Sequence, residues 1–559
     1  MAEIRISAGA GDASAAWEAA LAEARALPGA DTIVVEDGTH TLARPLTLTA
    51  ADNGTTITEA EGATAVLDGG GEAMSLIHVD GASNITISGL GFENTSGGGD
   101  FDSSLAAVRV ENGASNITIS DGDFTNVALG VQAYWGANHV TVSDSRFTDT
   151  WGPAIDFNDE SYQNTATGNT ILRSGSVYTE GGAIQMYESW GNTVSHNSIK
   201  DVPRHGIEEQ NWDAGNKSGG NLIEYNRITN YMGATEDGGA IYIFGGDDPF
   251  TPYASTIQYN RIEGTADPFS WGIYMDDLVN GANIIGNWVD GGGVANIMIH
   301  GGDRNEVANN VLLNGGQFGI TVQTGLVDPG PIRFDNIHDN VVAPGTGIWG
   351  ASDAAGVQFH DNVYVGTEGQ FGWEFEPFEV WQAAGGDKGT VVLDSLVGGI
   401  GDPDNPIDGP GPGDLPEFPG GGFDPDLPNF NPDWDPIAER PEPPTEPEEP
   451  GVPLNVLVLQ LSADYDGVEP AFVLSVDGEQ VGDGSVEHHH GEGVDRFVFR
   501  GDWAPGAHEL TIQFTNDSPT INLWAEDLWF GGQTYSGPNG QDVNIGELPG
   551  DRLTFTVGQ

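Results

Sequence analysis

The sequence predicts an all-β protein: a right-handed parallel β-helix with an N-terminal cap helix, followed by a C-terminal β-sandwich. Three observations predict it. Gly accounts for 83 of the 559 residues, and only one stretch shows a helical period, the mark of a turn-rich β chain. A repeat runs from residue 84 onward, with copies such as NITISGLGFENT, NITISDGDFTNV, NTVSHNSIKDV, NLIEYNRITNY, STIQYNRIEGT and VQFHDNVYVG. After residue 452, beyond a Pro-rich stretch, period-two alternation returns as LNVLVLQLSADY, AFVLSVDGEQV and HELTIQFTNDS.

Length and charge set the outer bounds. A chain of 559 residues exceeds one ordinary core, so more than one domain is expected. Lys and Arg number 18 against 84 Asp and Glu, for a net charge of −66. Such a field repels nucleic acid and anionic membranes and suits Ca²⁺. With no Cys there are no disulfides and no thiolate metal sites. No segment offers ~20 consecutive apolar residues for a membrane span. The first residues, MAEIRISAGAGDASAAW, have neither a basic nor an apolar leader region. A secreted, extracellular monomer is expected, with the export route open.

Residues 13–27 form the one helical stretch. Trp17, Leu21, Ala24 and Leu27 share a face, Ser14 is placed to cap the start, and Pro28-Gly29 to stop it. A short helix ahead of the repeats suits a cap over a solenoid end. The repeats then carry an Asn before an apolar residue at Asn197, Asn226, Asn260, Asn287, Asn310, Asn340 and Asn362, with gaps of about 22 to 34 residues. No coil can bury its inner face alone, so coils stack ~4.8 Å apart. The repeated Asn would sit in a turn and bond to its copies above and below. The domains are expected at 1–400 (β-helix), 401–450 (a Pro/Gly/acidic linker too polar to fold) and 451–559 (sandwich).

The chemistry concentrates in one strand of each coil. Its copies read GVQAY, AIDFN, AIQMY, GIEEQ, AIYIF, GIYMD, NIMIH and GITVQ. Alternation turns Ile or Val inward. It leaves two outward rows: Gln132, Asp156, Gln185, Glu208, Tyr242, Tyr274, Met298, and Tyr134, Asn158, Tyr187, Gln210, Phe244, Asp276, His300, Gln323. A solvent-facing sheet of aromatics, amides and acids is what a sugar-binding groove needs. Its substrate-binding candidates are His205, Tyr187, Tyr242, Phe244, Tyr274 and His300. Hydrolysis of a glycosidic bond needs two carboxyl groups flanking it, and the catalytic candidates are Asp237, Asp276, Asp277 and Glu208. Asp237 before Gly-Gly also reads as a turn residue, and Asp276-Asp277 as a solvated strand end. In flat register seven positions separate Asp237 from Asp276. Either Gly238-Gly239 folds Asp237 back over the groove, or Glu208 partners Asp276.

Two other functions stay open. A lyase or epimerase needs a cation for a uronate and a base; Arg204, His205, Glu208, Glu209 and Asp213 could hold Ca²⁺ and a uronate, while Arg227 and Arg261 look structural. A non-catalytic glycan-binding or adhesion solenoid would use the groove alone.

EDGGAIYIFG, WGIYMDD one coil later, DVPRHGI before them and DNVYVG after them resemble the parallel β-helix glycoside hydrolases that include xylosidases, xylanases and α-L-fucosidases. The resemblance spans about residues 30–400, and implies two catalytic acids, at Asp237 and at Asp276 or Asp277. The substrate it implies is xylan or another plant or algal polysaccharide. The alginate-epimerase pattern Y-G-F-D-P-H-E has no counterpart. PAFVLSVDGEQVG, FVFRGDWAPGAHELTIQFTNDS and INLWAEDLWFGG resemble calcium-dependent xylan-binding carbohydrate modules. That implies Ca²⁺ at Asn516, Asp517, Asn522 and Glu526, with Asp464, Tyr465 and Asp466 adding oxygens from an early loop. Thr520 stands where that family has an acid.

Overall fold

The computed structural model describes residues 3–9, 11–27, 31–71, 75–95, 105–211, 218–245, 255–277, 279–302, 304–323, 333–343, 348–350, 356–365 and 391–393, then 456–464, 470–486, 495–500, 508–515, 522–530, 533–536, 543–545 and 552–557. The chain divides into two compact units, 1–440 and 441–559. The expected linker at 401–450 lies outside the described residues.

The first unit is a parallel β-helix of three sheets. The first sheet has 14 strands, from Glu3–Ile6 to Gly356–His360; the second has 12, from Leu46–Leu48 to Ile348–Gly350; the third has 14, from Gly38–Thr41 to Val391–Leu393. Register is kept coil after coil. Ile207 pairs with Ile241, Ile241 with Ile273, and Ile273 with Ile297. The inward residues stack into one continuous apolar core. In the third sheet Phe92, Phe124 and Phe147 stack with ring centroids 4.5 Å apart.

The helix runs Ser14–Ala26 and buries Trp17, Leu21 and Ala24. Trp17 meets His40 edge-on at 5.9 Å. Two details differ from expectation. Ser14 does not cap: it is the first helical residue, and its N–H and hydroxyl donate to Asp12 Oδ1 at 2.9 and 2.5 Å. Leu27 leaves the face, 37% exposed, because the chain has already turned extended there. The solenoid also begins before the helix. Strand Glu3–Ile6 pairs in parallel with Thr32–Val35, so the helix is a crossover between the first two strands of the first sheet.

The Asn ladder forms as expected and starts one coil earlier, at Asn169. Each member from Asn169 to Asn340 donates through Nδ2 to the next Asn Oδ1 at 2.9 to 3.0 Å. Each also donates to a backbone carbonyl, as Asn260 does to Ile223 at 2.8 Å. These turn amides are buried, so the ladder satisfies groups that water cannot reach. A second ladder, Asn164, Asn192 and Asn221, runs beside it and ends where Ser255 replaces Asn.

The second unit is two antiparallel sheets, one carrying Val456–Asp464 and Asn522–Phe530, the other Ala471–Val476, His508–Phe514 and Arg552–Val557. Leu459, Leu461 and Leu523 from one sheet meet Leu474, Leu510 and Ile512 from the other in a single core. This is a β-sandwich.

Candidate active site

The second sheet carries the site, and both outward rows exist as ladders. Gln132 pairs with Asp156, Asp156 with Gln185, Gln185 with Glu208, Glu208 with Tyr242, Tyr242 with Tyr274, and Tyr274 with Met298. Beside it run Asn158, Tyr187, Gln210, Phe244, Asp276, His300 and Gln323. The expectation that these rows face solvent fails. Gln132 and Asp156 are fully buried, Glu208 is 1% exposed, Tyr274 3%, Tyr242 and Phe244 7%. The cause is packing among the side chains themselves. Tyr242, Phe244, Trp271, Tyr274, Met298 and Phe318 form one apolar cluster on this outer face. Trp271 packs tilted against Tyr274, centroids 4.4 Å apart, and Tyr274 meets Tyr242 edge-on at 5.3 Å.

Asp276 sits at the open side of this cluster. Tyr242 Oη donates to its Oδ2 at 2.8 Å, and His300 Nδ1 lies 2.7 Å from its Oδ1. Both oxygens of Asp276 are thus partnered. Burial works against a charge on His300, yet the hydrogen bond and field of Asp276, with Asp277 and Asp237, raise its pKa above the ordinary value. Asp277 follows in left-handed backbone (φ +28°), is 6% exposed and lies close enough to Asp276 and His300 for all three to share a cation.

Asp237 lies at the rim, exposed, in left-handed backbone at φ +59°. Its N–H donates to Phe269 O, and Gly239 pairs with Trp271, so the seven-position offset from Asp276 holds along the strand. The side chain still feels Asp276. Partial burial, then the Asp276 charge, raises the Asp237 pKa, while Arg204 and His300 oppose the rise. The carboxyl comes under that field although the backbone beside it keeps strand register.

Glu208 lies one coil before Tyr242, beneath the surface. It accepts from Gly182 N–H at 2.5 Å and from the Gln210 amide. Burial pushes its pKa up to about 8, so it holds its proton at neutral pH. His205 stacks flat on Tyr242, centroids 4.4 Å apart. Its Nε2 takes a hydrogen bond from Arg204 Nε at 2.9 Å, and its Nδ1 lies 3.1 Å from Gly239 O. Arg204 can only donate, so Nε2 carries no proton and Nδ1–H donates to Gly239. Burial, then Arg204, pushes the His205 pKa down to about 3. His205 is therefore a neutral brace under Tyr242. Tyr187 is half-buried, three coils before Asp276 in the same row.

Two further expectations change. Glu209 does not join the Arg204–Glu208 group: it points inward, in the row of Met186 and Ile243, and accepts from Ser255 Oγ at 2.7 Å. Asp213 lies outside the described residues. Arg227 and Arg261 both pair with Glu263 on the third sheet, a structural role. The sequence reading passed over Trp271 and Phe318. Both stand two residues before an inward Ile, where alternation predicts the inner face, so their place in the outer cluster had no signal in strand period.

Of the proposed Ca²⁺ ligands, Asp466, Asn516 and Asp517 lie outside the described residues, as does Tyr465. Asp464 ends a strand rather than occupying a loop, and pairs in register with Asn522; Glu526 lies further along that partner strand.

Among the described residues no helix is long and apolar enough to cross a membrane. No curated protein matches the chain. Among solved structures it is similar to the catalytic domain of a GH87 alpha-1,3-glucanase in complex with nigerose, at 13% identity and a TM-score of 0.42, covering 70% of this chain and 65% of that one. It is similar to the Azotobacter vinelandii mannuronan C-5 epimerase AlgE6 A-module (14% identity, TM-score 0.44, 69% and 96% covered). It is also similar to PfbA, a surface adhesin of Streptococcus pneumoniae (15% identity, TM-score 0.49, 62% and 93% covered). At these identities the likeness is one of fold. The family model described as right handed beta helix region matches residues 73–223 and 182–364. With that match and three parallel sheets wound coil upon coil, the chain belongs to the right-handed β-helix family.

Proposed function

We propose that the first unit is a glycoside hydrolase acting on a neutral polysaccharide, with xylan and other plant or algal glycans as first candidates. One observation carries the reading: two carboxyl groups beside one aromatic wall stand in different surroundings. Asp276 is held by Tyr242 and His300, while Asp237 has its pKa raised by burial and by the charge of Asp276. Groups separated in this way divide into base and acid. Asp237 gives its proton to the departing glycosidic oxygen. Asp276 either accepts a proton from the attacking water or attacks the anomeric carbon itself, and the anomer first released distinguishes the two.

A uronate lyase is disfavoured by the same geometry. Arg204 is committed to Glu180 and His205, and the remaining charge around Asp276 is acidic, so a substrate carboxylate would meet repulsion. The second unit would hold the enzyme on an insoluble substrate and raise its local concentration. Asp464 opposite Asn522 gives two oxygen-bearing residues on adjacent strands, which suits Ca²⁺. An extracellular site of action goes with such a substrate.

The test is incubation with xylan, fucoidan, α-1,3-glucan and alginate, reading reducing ends and the absorbance of unsaturated uronates. Reducing ends without unsaturation, lost in Asp237→Asn and Asp276→Asn chains that melt normally, support the proposal. Unsaturated products mean a lyase. No product from any glycan, with retained binding, means an adhesion solenoid. EDTA should release the full chain from insoluble xylan, and retention in EDTA would remove the calcium site.

A further inference from the structure

A cavity of ≈ 500 Å³ is lined by Asp68, Gly70, Asn94, Thr95, Asn126 and Trp151. It lies on the turns that leave the third sheet, after strands Ala65–Asp68, Gly91–Glu93, Asp123–Thr125 and Arg146–Thr148. The volume is that of an ordinary small-ligand site. Trp151 is three ladder steps, about 14 Å along the axis, from the coil of Tyr242. The proposed catalytic residues take no part in it.

The lining is ordered in one direction. Trp151 Nε1–H donates to Asn126 Oδ1 at 3.2 Å, Asn126 Nδ2 to Asn94 Oδ1 at 3.0 Å, and Asn94 Nδ2 to Asp68 Oδ1 at 3.0 Å. Each amide thus has one N–H fixed, one left to give, and one carbonyl lone pair left to accept. Asn94 and Asn126 occupy left-handed backbone, at φ 56° and 53°, which aims successive side chains out of the same turn. One coil further on the position is Asp149, closed by an ion pair with Arg173 at 2.5 Å. The open run therefore stops at Trp151. The Trp151 backbone is pinned: its N–H donates to Val127 O at 2.9 Å, and its carbonyl accepts from Tyr178 at 2.7 Å. Little ordering is left to oppose binding.

We propose that this cavity is a second carbohydrate-binding site, for a neutral oligosaccharide. The indole stacks on a sugar face, the two amides bridge vicinal hydroxyls, and the outer oxygen of Asp68 accepts a hydroxyl proton. Among the described residues the only charged side chain lining it is Asp68, which disfavours phosphate, sulfate and uronate ligands. An amide array with one aromatic face is too polar for a lipid chain. Repeating donors at coil spacing suit a glycan lying along the solenoid axis. Such a site would hold a polymer while the acid cluster works on it, or on a neighbouring chain. The inference does not rest on hydrolysis, since a binding solenoid would use the cavity equally well.

The experiment uses the full chain with Asp276→Asn, so that no substrate is consumed, labelled with 5-fluorotryptophan. The Trp151 fluorine resonance is assigned by its disappearance in Trp151→Phe. Xylohexaose, cellohexaose and a hexamer of galacturonate are titrated separately. The expected result is a saturable shift of the Trp151 signal with at least one neutral hexamer and none with the galacturonate. Asn126→Ala should weaken that binding by at least about tenfold. A Trp151 signal that stays still with both neutral hexamers overturns the proposal. So does a shift of equal affinity in Asn126→Ala, or one produced equally by galacturonate. The Trp271 resonance, read in the same spectra, reports the acid cluster, so failure at one site is distinguishable from failure at the other.

Discussion

Tyr242 reaches across one coil to bond Asp276, Oη to Oδ2 at 2.8 Å, although its register partner is Tyr274 and that of Asp276 is Phe244. The contact is diagonal, within the reach of a long aromatic side chain. It ties the aromatic wall to the proposed catalytic carboxylate. Tyr242→Phe keeps the ring and its stacking on His205 but removes this donor. The expected outcome is a kcat lower by about ten- to a hundredfold with a small change in KM. Steady-state kinetics on the hydrolysed glycan check it, and an unchanged kcat would take the hydroxyl out of the mechanism.

The state of Asp237 depends on Asp276. Burial and the Asp276 charge together raise the Asp237 pKa, so the acid form persists above the ordinary Asp range. Activity that needs this proton falls as pH rises through the raised pKa. Neutralising the neighbour should reverse part of the shift. In Asp276→Asn, which is expected to be inactive, carbon-13 carboxyl titration of Asp237 should give a lower pKa than in the parent chain. An equal or higher value would show that the two carboxyl groups do not share a site.

Glu208 makes a prediction about stability. Its pKa is near 8 in the folded chain against an ordinary 4.5. Between those values the native state binds a proton that the unfolded chain has released, so stability falls as pH rises across that window. Asp156, raised to about 6 by burial, adds to the lower part of it. Glu208→Gln keeps the shape and removes the titration. The parent chain should lose melting temperature between pH 5 and 8, and Glu208→Gln should lose less. Parallel curves would place the proton of Glu208 elsewhere.

The fold was legible because it is written repeatedly. Asn226, Asn260 and Asn287 recur at one position, and a turn amide repeated in every coil has one use, to bond its own copies. The inward Ile rows were legible for the same reason, since strand period fixes the face. Burial on the outer face was not legible. Alternation says that Tyr242 and Tyr274 point out of the solenoid, but not that Trp271, Met298 and Phe318 close over them. Glu209 shows the other limit. It occupies an inward position where neighbouring coils carry Met186 and Ile243. Only the loss of a ladder Asn at Ser255 gives it a partner, and Ser255 is 46 residues away in sequence. Asp237 was singled out by its motif, but strand register gave no sign that its carboxyl would feel the charge of Asp276.

The backbone beside Asp237 can be tested at Gly238. A Cβ there would lie 2.4 Å from His205 Cε1 and 2.9 Å from Met232 Cε. The neighbours rather than the backbone exclude a side chain. His205 cannot retreat freely: it is stacked on Tyr242, bonded to Gly239 O and held by Arg204. Gly238→Ala should therefore push on His205, and through it on Tyr242 and Asp276. The expected cost is about 1 to 3 kcal/mol of stability, with kcat reduced at least about tenfold. Loss of activity alone would not locate the clash, so the informative comparison is made in a His205→Ala background. There the space is vacant, and adding Gly238→Ala should cost little further stability. A coupling of more than about 1 kcal/mol in the double-mutant cycle, measured by chemical denaturation, is the expected result. Additive costs would show that Gly238 and His205 do not touch.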